Sequence, residues 1–450
     1  MHLTIIHPAI GHKLRENYIR AWQMEPLPAA AVAGLTPKDV EIRFYDDRME
    51  TIPYDETTDA VAIPLETYTA RRAYQIASEY RRRKVPVLFG GFHASLMPEE
   101  AARYAEAVVI GEAEQVWSTV IDDLRHNTLQ KYYRAEKQPP LDLIRVDRSI
   151  FQGKRYLPIG LVETGRGCKF SCEFCSIQTF FRQSHRVRPV AHVLAELRLL
   201  KDKTKIFFFV DDNFAGNRAA AKELLRAIEP LKIRWITQMS IDAAHDEEFL
   251  DLLARSGCMG VLIGFESLDK DNLLLMNKGF NAMQGGGAQA LTNLRRHNIR
   301  VYATFVFGYE HDTAASFDQA VAFAIEQRCY IAAFNHLTPF PGTPLYSRLR
   351  ESGQLRFDAW WLDEAYRYND LPFHPVRLPH DEVTRLCVEA RRKFYSWKSI
   401  LRRGLDRANH SDSFMCRNYL PVNLMHRADV GRRNGYPLGD VNWQGTLLEA

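Results

Sequence analysis

The sequence predicts an α/β protein: an N-terminal doubly wound parallel sheet, a partial (βα)6 barrel, and a helical C-terminal extension. Three observations predict it. Short apolar runs alternate with amphipathic stretches along most of the chain. A polar stretch containing Pro-Pro, HNTLQKYYRAEKQPPLDLIRVDRSIFQGKRYLP, breaks that alternation once. After PFPGTPLY the chain becomes rich in Trp, Tyr and Arg. A length of 450 residues is long for one hydrophobic core and calls for two or three domains.

In the first part, LTIIHP, VEIRFYDD and AVAIPLE read as strands. TARRAYQIASEYRRRK follows with helical period, placing Ala73, Ile76, Ala77 and Tyr80 on one face. VPVLFGG and AVVIGEAE are further strands. This gives a domain over residues 1–125 and a linker over 126–158. The alternation resumes at residue 159 with the strands IGLVET, IFFFVDD, IRWITQM, GVLIGFE, VYATFVFG and AAFNHLTP. VLAELRLLKD and AAAKELLRAI are helices between them. The barrel is set at 159–345 and the extension at 346–450, where EARRKFYSWKSILRR is helical. The aromatic run WWLDEAYRY (360–368) is expected to pack against the barrel, with a substrate lid as the alternative.

Bulk properties exclude several classes. Hydrophobic residues make up 46% and charged residues 25%, an ordinary globular balance. A net charge of +4 is too small to argue for nucleic acid. No run of eighteen apolar residues predicts a membrane span. The N-terminus lacks the charged and long apolar parts of a signal peptide, which predicts a cytoplasmic chain. Of seven cysteines, Cys258, Cys329, Cys387 and Cys416 are scattered and three share eight residues. That distribution argues for reduced thiols and one metal site rather than disulfides.

The three lie in GRGCKFSCEFCS: Cys168, Cys172 and Cys175. Thiolates select zinc, copper or iron–sulfur clusters. A structural zinc wants four protein ligands, and His185 is the near candidate for a fourth. Three thiolates on a cubane cluster instead leave one iron open, and an open iron is a reaction site.

CxxxCxxC after the first of six barrel strands, with the aromatic Phe174 before the last cysteine, resembles the radical S-adenosylmethionine (SAM) superfamily. The resemblance implies a [4Fe-4S] cluster whose open iron chelates SAM. One-electron cleavage then yields a 5′-deoxyadenosyl radical, and a flavodoxin- or ferredoxin-type protein supplies the electron. It also points to strand ends for SAM binding: Asp211 and Asp212 in FFFVDDNF, where many members carry Gly-Gly-Glu; Gln238 and Ser240; Glu266 in GFES; and Gly308 in VFG. Each also has a plain reading as a capping or turn residue.

A parallel βα domain ahead of such a barrel resembles the cobalamin-binding subfamily, and the resemblance implies cobalamin near Gly90, Gly91 and Glu112. No Asp-x-His-x-x-Gly motif is present, so His93 is not assigned to cobalt. The implied activity is cobalamin-dependent methylation of an unactivated carbon of a small molecule or lipid. The first alternative is radical cyclisation, oxidation or ring rearrangement. The second, of another class, is an iron–sulfur protein binding nucleic acid through basic runs such as RRRK (81–84). No nucleic-acid partner is expected.

Overall fold

The structure, a computed structural model, describes residues 1–13 and 18–449. The first sheet is six-stranded and parallel throughout. In chain order its strands are His2–His7, Glu41–Asp46, Ala60–Pro64, Val87–Gly90, Ala107–Ile110 and Tyr132–Arg134. In space the second precedes the first, and the rest follow in sequence. Successive side chains point to opposite faces, so Leu3 and Ile5 join one core with Ala29 and Val120 while Ile6 joins another with Ala73 and Ile76. Helices therefore cover both faces. The strand order reverses between His2–His7 and Ala60–Pro64, which opens a crevice beyond their C-terminal ends. Residues 126–158, expected to be a linker, contribute the edge strand Tyr132–Arg134 through pairing with Val108–Ile110. Its three residues are too few to show a period in sequence.

The second sheet is also six-stranded and parallel: Ile159–Val162, Ile206–Phe209, Trp235–Gln238, Cys258–Glu266, Arg300–Phe307 and Ile331–His336, in that spatial order. Adjacent strands pack ring on ring, with Phe209 stacked on Trp235 at 4.7 Å between centroids. One core cluster fills the space between strands and outer helices.

The last hundred residues divide between the two sheets. Trp360, Trp361 and Tyr366 are fully buried in the N-terminal core, and Trp360 also meets the barrel segment, as expected, by donating its indole N–H to the Pro339 carbonyl at 2.9 Å. Trp361 donates its indole N–H to Glu100 at 2.9 Å, which fixes that choice of core. The helix Ser413–Arg433 plugs the lower end of the barrel: Phe414 and Val422 pack with Ile206, Met259 and Ile331, at the starts of three strands. The chain then returns to the first domain, where Gly439–Asp440 pairs in parallel with Gly11–His12. No helix among the described residues is long and apolar enough to cross a membrane. The basic runs are engaged internally. Arg81 and Arg83 pair with Glu106, Asp55 and Glu79. Arg403 is fully buried and donates to the carbonyls of Cys329 and Tyr330, both at 3.0 Å.

Candidate active site

The cysteine segment follows the first barrel strand, but it is framed by a short hairpin rather than a plain loop. Gly165–Gly167 pairs antiparallel with His185–Val187. Docking onto the turn after the fourth strand holds the segment from the other side. Phe170 stacks on Phe280 at 4.1 Å, and the Glu173 N–H donates to the Met276 carbonyl at 3.3 Å. Arg348, from after the sixth strand, pairs with Glu173 at 2.8 Å. Cys172 is buried, while Cys168 and Cys175 are partly so. Burial pushes the Cys172 thiol up to about 12, and burial likewise raises Cys175, whose sulfur faces the N–H groups of Gln178 and Ile177.

Asp211 and Asp212 organise this hairpin from the end of the second strand. The buried Asp211 carboxylate accepts from the Thr164 N–H at 2.7 Å and from the Thr164 hydroxyl. Burial raises it to about 7. Asp212 accepts from the Gly167 N–H at 2.7 Å, and burial raises it to about 6. Both carboxylates therefore spend hydrogen bonds on the backbone that leads to Cys168. The residue beside them, noted at the same strand end but given no role of its own, is the one that touches a cysteine. Asn213 Nδ2 lies 3.6 Å from Cys168 Sγ and 3.1 Å from Ser240 Oγ. Its Oδ1 accepts from the Ser240 N–H at 3.1 Å. Ser240 thus orients Asn213, and Asn213 faces the sulfur. Gln238 ends the third strand half-buried, with its backbone carbonyl accepting from Phe214. The signal for Asn213 was the Asp-Asp-Asn run itself, in which the carboxylates drew the attention.

Glu266 ends the fourth strand in a left-handed backbone conformation, φ 63°, at a register shift in the sheet. A non-glycine residue there is strained, and such strain gathers at functional positions. Its carboxylate pairs with Lys278 at 2.7 Å. A side chain at Gly264 would press on both members of that pair, so the glycine in GFES is required by sterics. Burial opposes the charge on Lys278, but Glu266 and the neighbouring Cys172 and Cys175 raise its pKa overall. The pair places a cation beside the cysteine sulfurs. Gly308, at φ +125°, sits under Phe373, 3.2 Å from where a Cβ would stand, and its N–H donates to Asp312 at 2.8 Å. The space above this glycine is therefore taken by a side chain of the C-terminal extension.

In the N-terminal domain Gly91, at φ +95°, lies with the position of a Cβ only 2.8 Å from the Leu65 carbonyl oxygen, so it allows two backbone segments to approach. Gly90 is less confined. His93 is buried and partnered by Glu100 at 3.0 Å and Thr67 at 3.2 Å. Glu112 bridges the two sheets, accepting from Arg166 at 2.6 Å and Arg186 at 2.7 Å, both on the cysteine hairpin. Deep in the molecule, Glu66 at the strand-order reversal, Tyr68, Tyr302 of the fifth barrel strand and Tyr368 all keep accessible surface. Accessible surface kept by side chains so surrounded outlines a chamber, an open space between the end of the first sheet and the fifth barrel strand. Burial raises the Glu66 carboxyl above its ordinary value.

The profile of the radical SAM superfamily matches residues 162–324, which contain the cysteine segment and four of the six barrel strands. Over 389 residues the chain is 31% identical to a bacteriochlorophyllide d C-12(1)-methyltransferase of Chlorobaculum tepidum, covering 84% of each. This chain belongs to the radical SAM superfamily. A bacteriochlorophyllide d C-8(2)-methyltransferase of the same organism is 30% identical, over 83% of this chain and 86% of the relative. The solved structure of the radical SAM methyltransferase TsrM from Kitasatospora setae, with cobalamin and a [4Fe-4S] cluster bound, shares the fold. It has a TM-score of 0.66 at 16% identity and covers 96% of this chain and 99% of its own.

The residues of this radical SAM enzyme fit a cluster. Lys278, the Asn213 amide and the N–H groups after Cys175 supply positive potential to the sulfurs, against the Glu266 carboxylate that pairs with Lys278. Among the described residues no three His, Cys, Asp or Glu side chains converge on one ion. A cubane gives each thiolate its own iron, so its ligands need no common centre. Asn213→Ala removes a hydrogen bond to Cys168. It is expected to make the cluster's reduction potential more negative by on the order of tens of millivolts, since hydrogen bonds to sulfur stabilise the reduced state. A redox titration followed by electron paramagnetic resonance measures this, and an unchanged potential would refute the contact.

Proposed function

We propose that this chain is a cobalamin-dependent radical SAM C-methyltransferase whose substrate is a tetrapyrrole. The observation that carries the reading is the similarity, across more than four fifths of the chain, to two methyltransferases named for bacteriochlorophyllide d. The fold shared with cobalamin-bearing structures supports the cofactor, as does a chamber opening at the strand-order reversal of the first sheet. When bound, the cluster and SAM supply a radical able to take hydrogen from an unactivated carbon, and cobalamin supplies a methyl group. The chain's own part is to hold these groups and exclude water. Cys168, Cys172 and Cys175 would hold the cluster. Asn213 and Lys278 face its sulfur ligands, and Asp211 and Asp212 fix the hairpin that carries it. The chamber walls would separate the reacting carbon from solvent.

Anaerobic reconstitution with iron, sulfide and hydroxocobalamin, followed by desalting, tests the cofactors. Broad cluster absorption together with retained corrin bands is the expected spectrum, and a bacteriochlorophyllide offered with SAM and reductant should gain one methyl mass. Cluster absorption without corrin bands overturns the cobalamin part. A product changed in ring structure but not in carbon count overturns methyl transfer. It would favour the cyclisation chemistry of the anaerobic magnesium-protoporphyrin monomethyl ester cyclase of Cereibacter sphaeroides, 24% identical to this chain.

A further inference from the structure

The helix Ser413–Arg433 brings one side chain into the chamber that neither the cluster nor the fold requires. Its first turns plug the lower end of the barrel, and its last turn reaches the N-terminal domain, where the Arg433 guanidinium lies 5.5 Å from the centre of the Trp22 ring. Between them, the His426 ring stacks on Tyr395 at 5.5 Å with 10° between planes. It stands 6.5 Å from the ring of Tyr302, a lumen residue of the fifth strand. Buried histidines ordinarily satisfy both ring nitrogens, as His93 does. His426 has no hydrogen-bond partner among the described residues, and neither nitrogen is among the polar atoms sealed from solvent, so both face open space. The hydroxyls of Tyr302 and Tyr368 are in the same position, unpartnered and unsealed. Burial holds the imidazole at a pKa of about 4, which keeps it neutral with a free lone pair at physiological pH.

A neutral, immobilised imidazole with an open nitrogen is the commonest protein ligand for a metal ion. Among the described residues no three His, Cys, Asp or Glu side chains gather to hold an ion, so a metal here would arrive with the ligand that fills the chamber. The surrounding walls are aromatic. Tyr368 meets Tyr68 at 5.0 Å and Trp22 at 5.1 Å, which suits a flat conjugated ring. We propose that His426 is the axial ligand to the central metal of a metallated tetrapyrrole substrate, fixing which edge of the macrocycle faces the cluster. The proposal rests on the tetrapyrrole reading above and adds to it a metal requirement and the residue that imposes it. His426 is a positioning residue and takes no part in the chemistry at carbon.

The test is equilibrium binding to the reconstituted enzyme, in the dark, of two probes that differ only in the metal: magnesium protoporphyrin IX and metal-free protoporphyrin IX. The wild type is expected to bind the magnesium form at least about tenfold more tightly, with a shift of its Soret band that marks nitrogen ligation. In His426→Phe, which keeps a ring on Tyr395, the preference and the shift should vanish while the metal-free probe binds as before. Added imidazole should restore the Soret shift in the smaller variant His426→Gly. Equal binding of the two probes by the wild type overturns the assignment without needing any variant, and so does a preference that survives in His426→Phe. Failure of the wild type to bind either probe overturns the tetrapyrrole reading itself, and the ligand role falls with it.

Discussion

Cys172→Ala is expected to abolish reductive cleavage of SAM, and the iron content of the reconstituted protein should fall with it. The segment supplies three thiolates, and no fourth cysteine stands near to substitute: Cys258, Cys329 and Cys387 are buried elsewhere and Cys416 is exposed. Cys172 is the most buried of the three. Without metal its thiol is held near 12 by burial, so the site stabilises a thiolate only when iron compensates the charge. Alanine removes that ligand and leaves two thiolates for a cubane that needs one per protein-bound iron. The measurement is 5′-deoxyadenosine formed per cluster with dithionite as reductant, beside iron and sulfide analysis. Cys416→Ala, at an exposed thiol, is the matched control and should behave as wild type. Retained cleavage with intact iron in Cys172→Ala would remove the cluster assignment.

Glu112→Ala is expected to lower stability by about 3 kcal/mol, because it breaks a buried ion pair by removing one partner. The Glu112 side chain is 6% exposed, and its two arginines are 12% and 20% exposed. Arg166 keeps Glu114 at 2.7 Å and Glu163 at 2.8 Å, but Arg186 loses its only ion pair among the described residues. Both arginines sit on the hairpin that frames the cysteines, so the damage should reach the cluster: faster loss of cluster absorption on dilution, alongside a Tm lowered by several degrees. Glu112→Gln separates this account from the direct cobalamin contact that the resemblance implies. The amide oxygen still accepts from one arginine, so the bridging account predicts an intermediate loss of stability with corrin retention intact. Corrin bands lost at wild-type Tm would instead make Glu112 a cofactor contact.

The cysteine triplet was legible because its information is local. Thiolates four and three residues apart in a glycine-bounded segment carry their chemistry wherever the chain goes. Both parallel sheets were legible for a similar reason, since the period of apolar residues reports burial on one or both faces of each element. Asp211 and Asp212 stood out by position as SAM-binding candidates, yet the sequence held no sign of their hydrogen-bond partners in the hairpin. The N–H groups of Thr164 and Gly167 lie more than forty residues away and leave no mark in FFFVDDNF. Asn213 stood out with them but received no role, because an amide carries no charge to suggest one and its contact is to a sulfur 45 residues earlier. The aromatic run at 360–368 was rightly read as buried, but the choice of core depended on Glu100, 261 residues before Trp361.

The sequence by itself determined the class of this protein: two successive parallel α/β sheets, a three-thiolate segment at the end of the first barrel strand, and through these the radical SAM superfamily. Only the tertiary structure decided what surrounds the chemistry. It turned Glu112 into a bridge between the sheets and Gly308 into a seat for Phe373, and it led a helix that matched no known pattern back to place His426 opposite Tyr302. The physical reason is the range of the forces that write each feature. Periodicity and ligand spacing arise from contacts a few residues apart. The pairing of a buried charge or the orphaning of an imidazole is settled by whichever distant side chain the closed fold delivers to within a few ångströms.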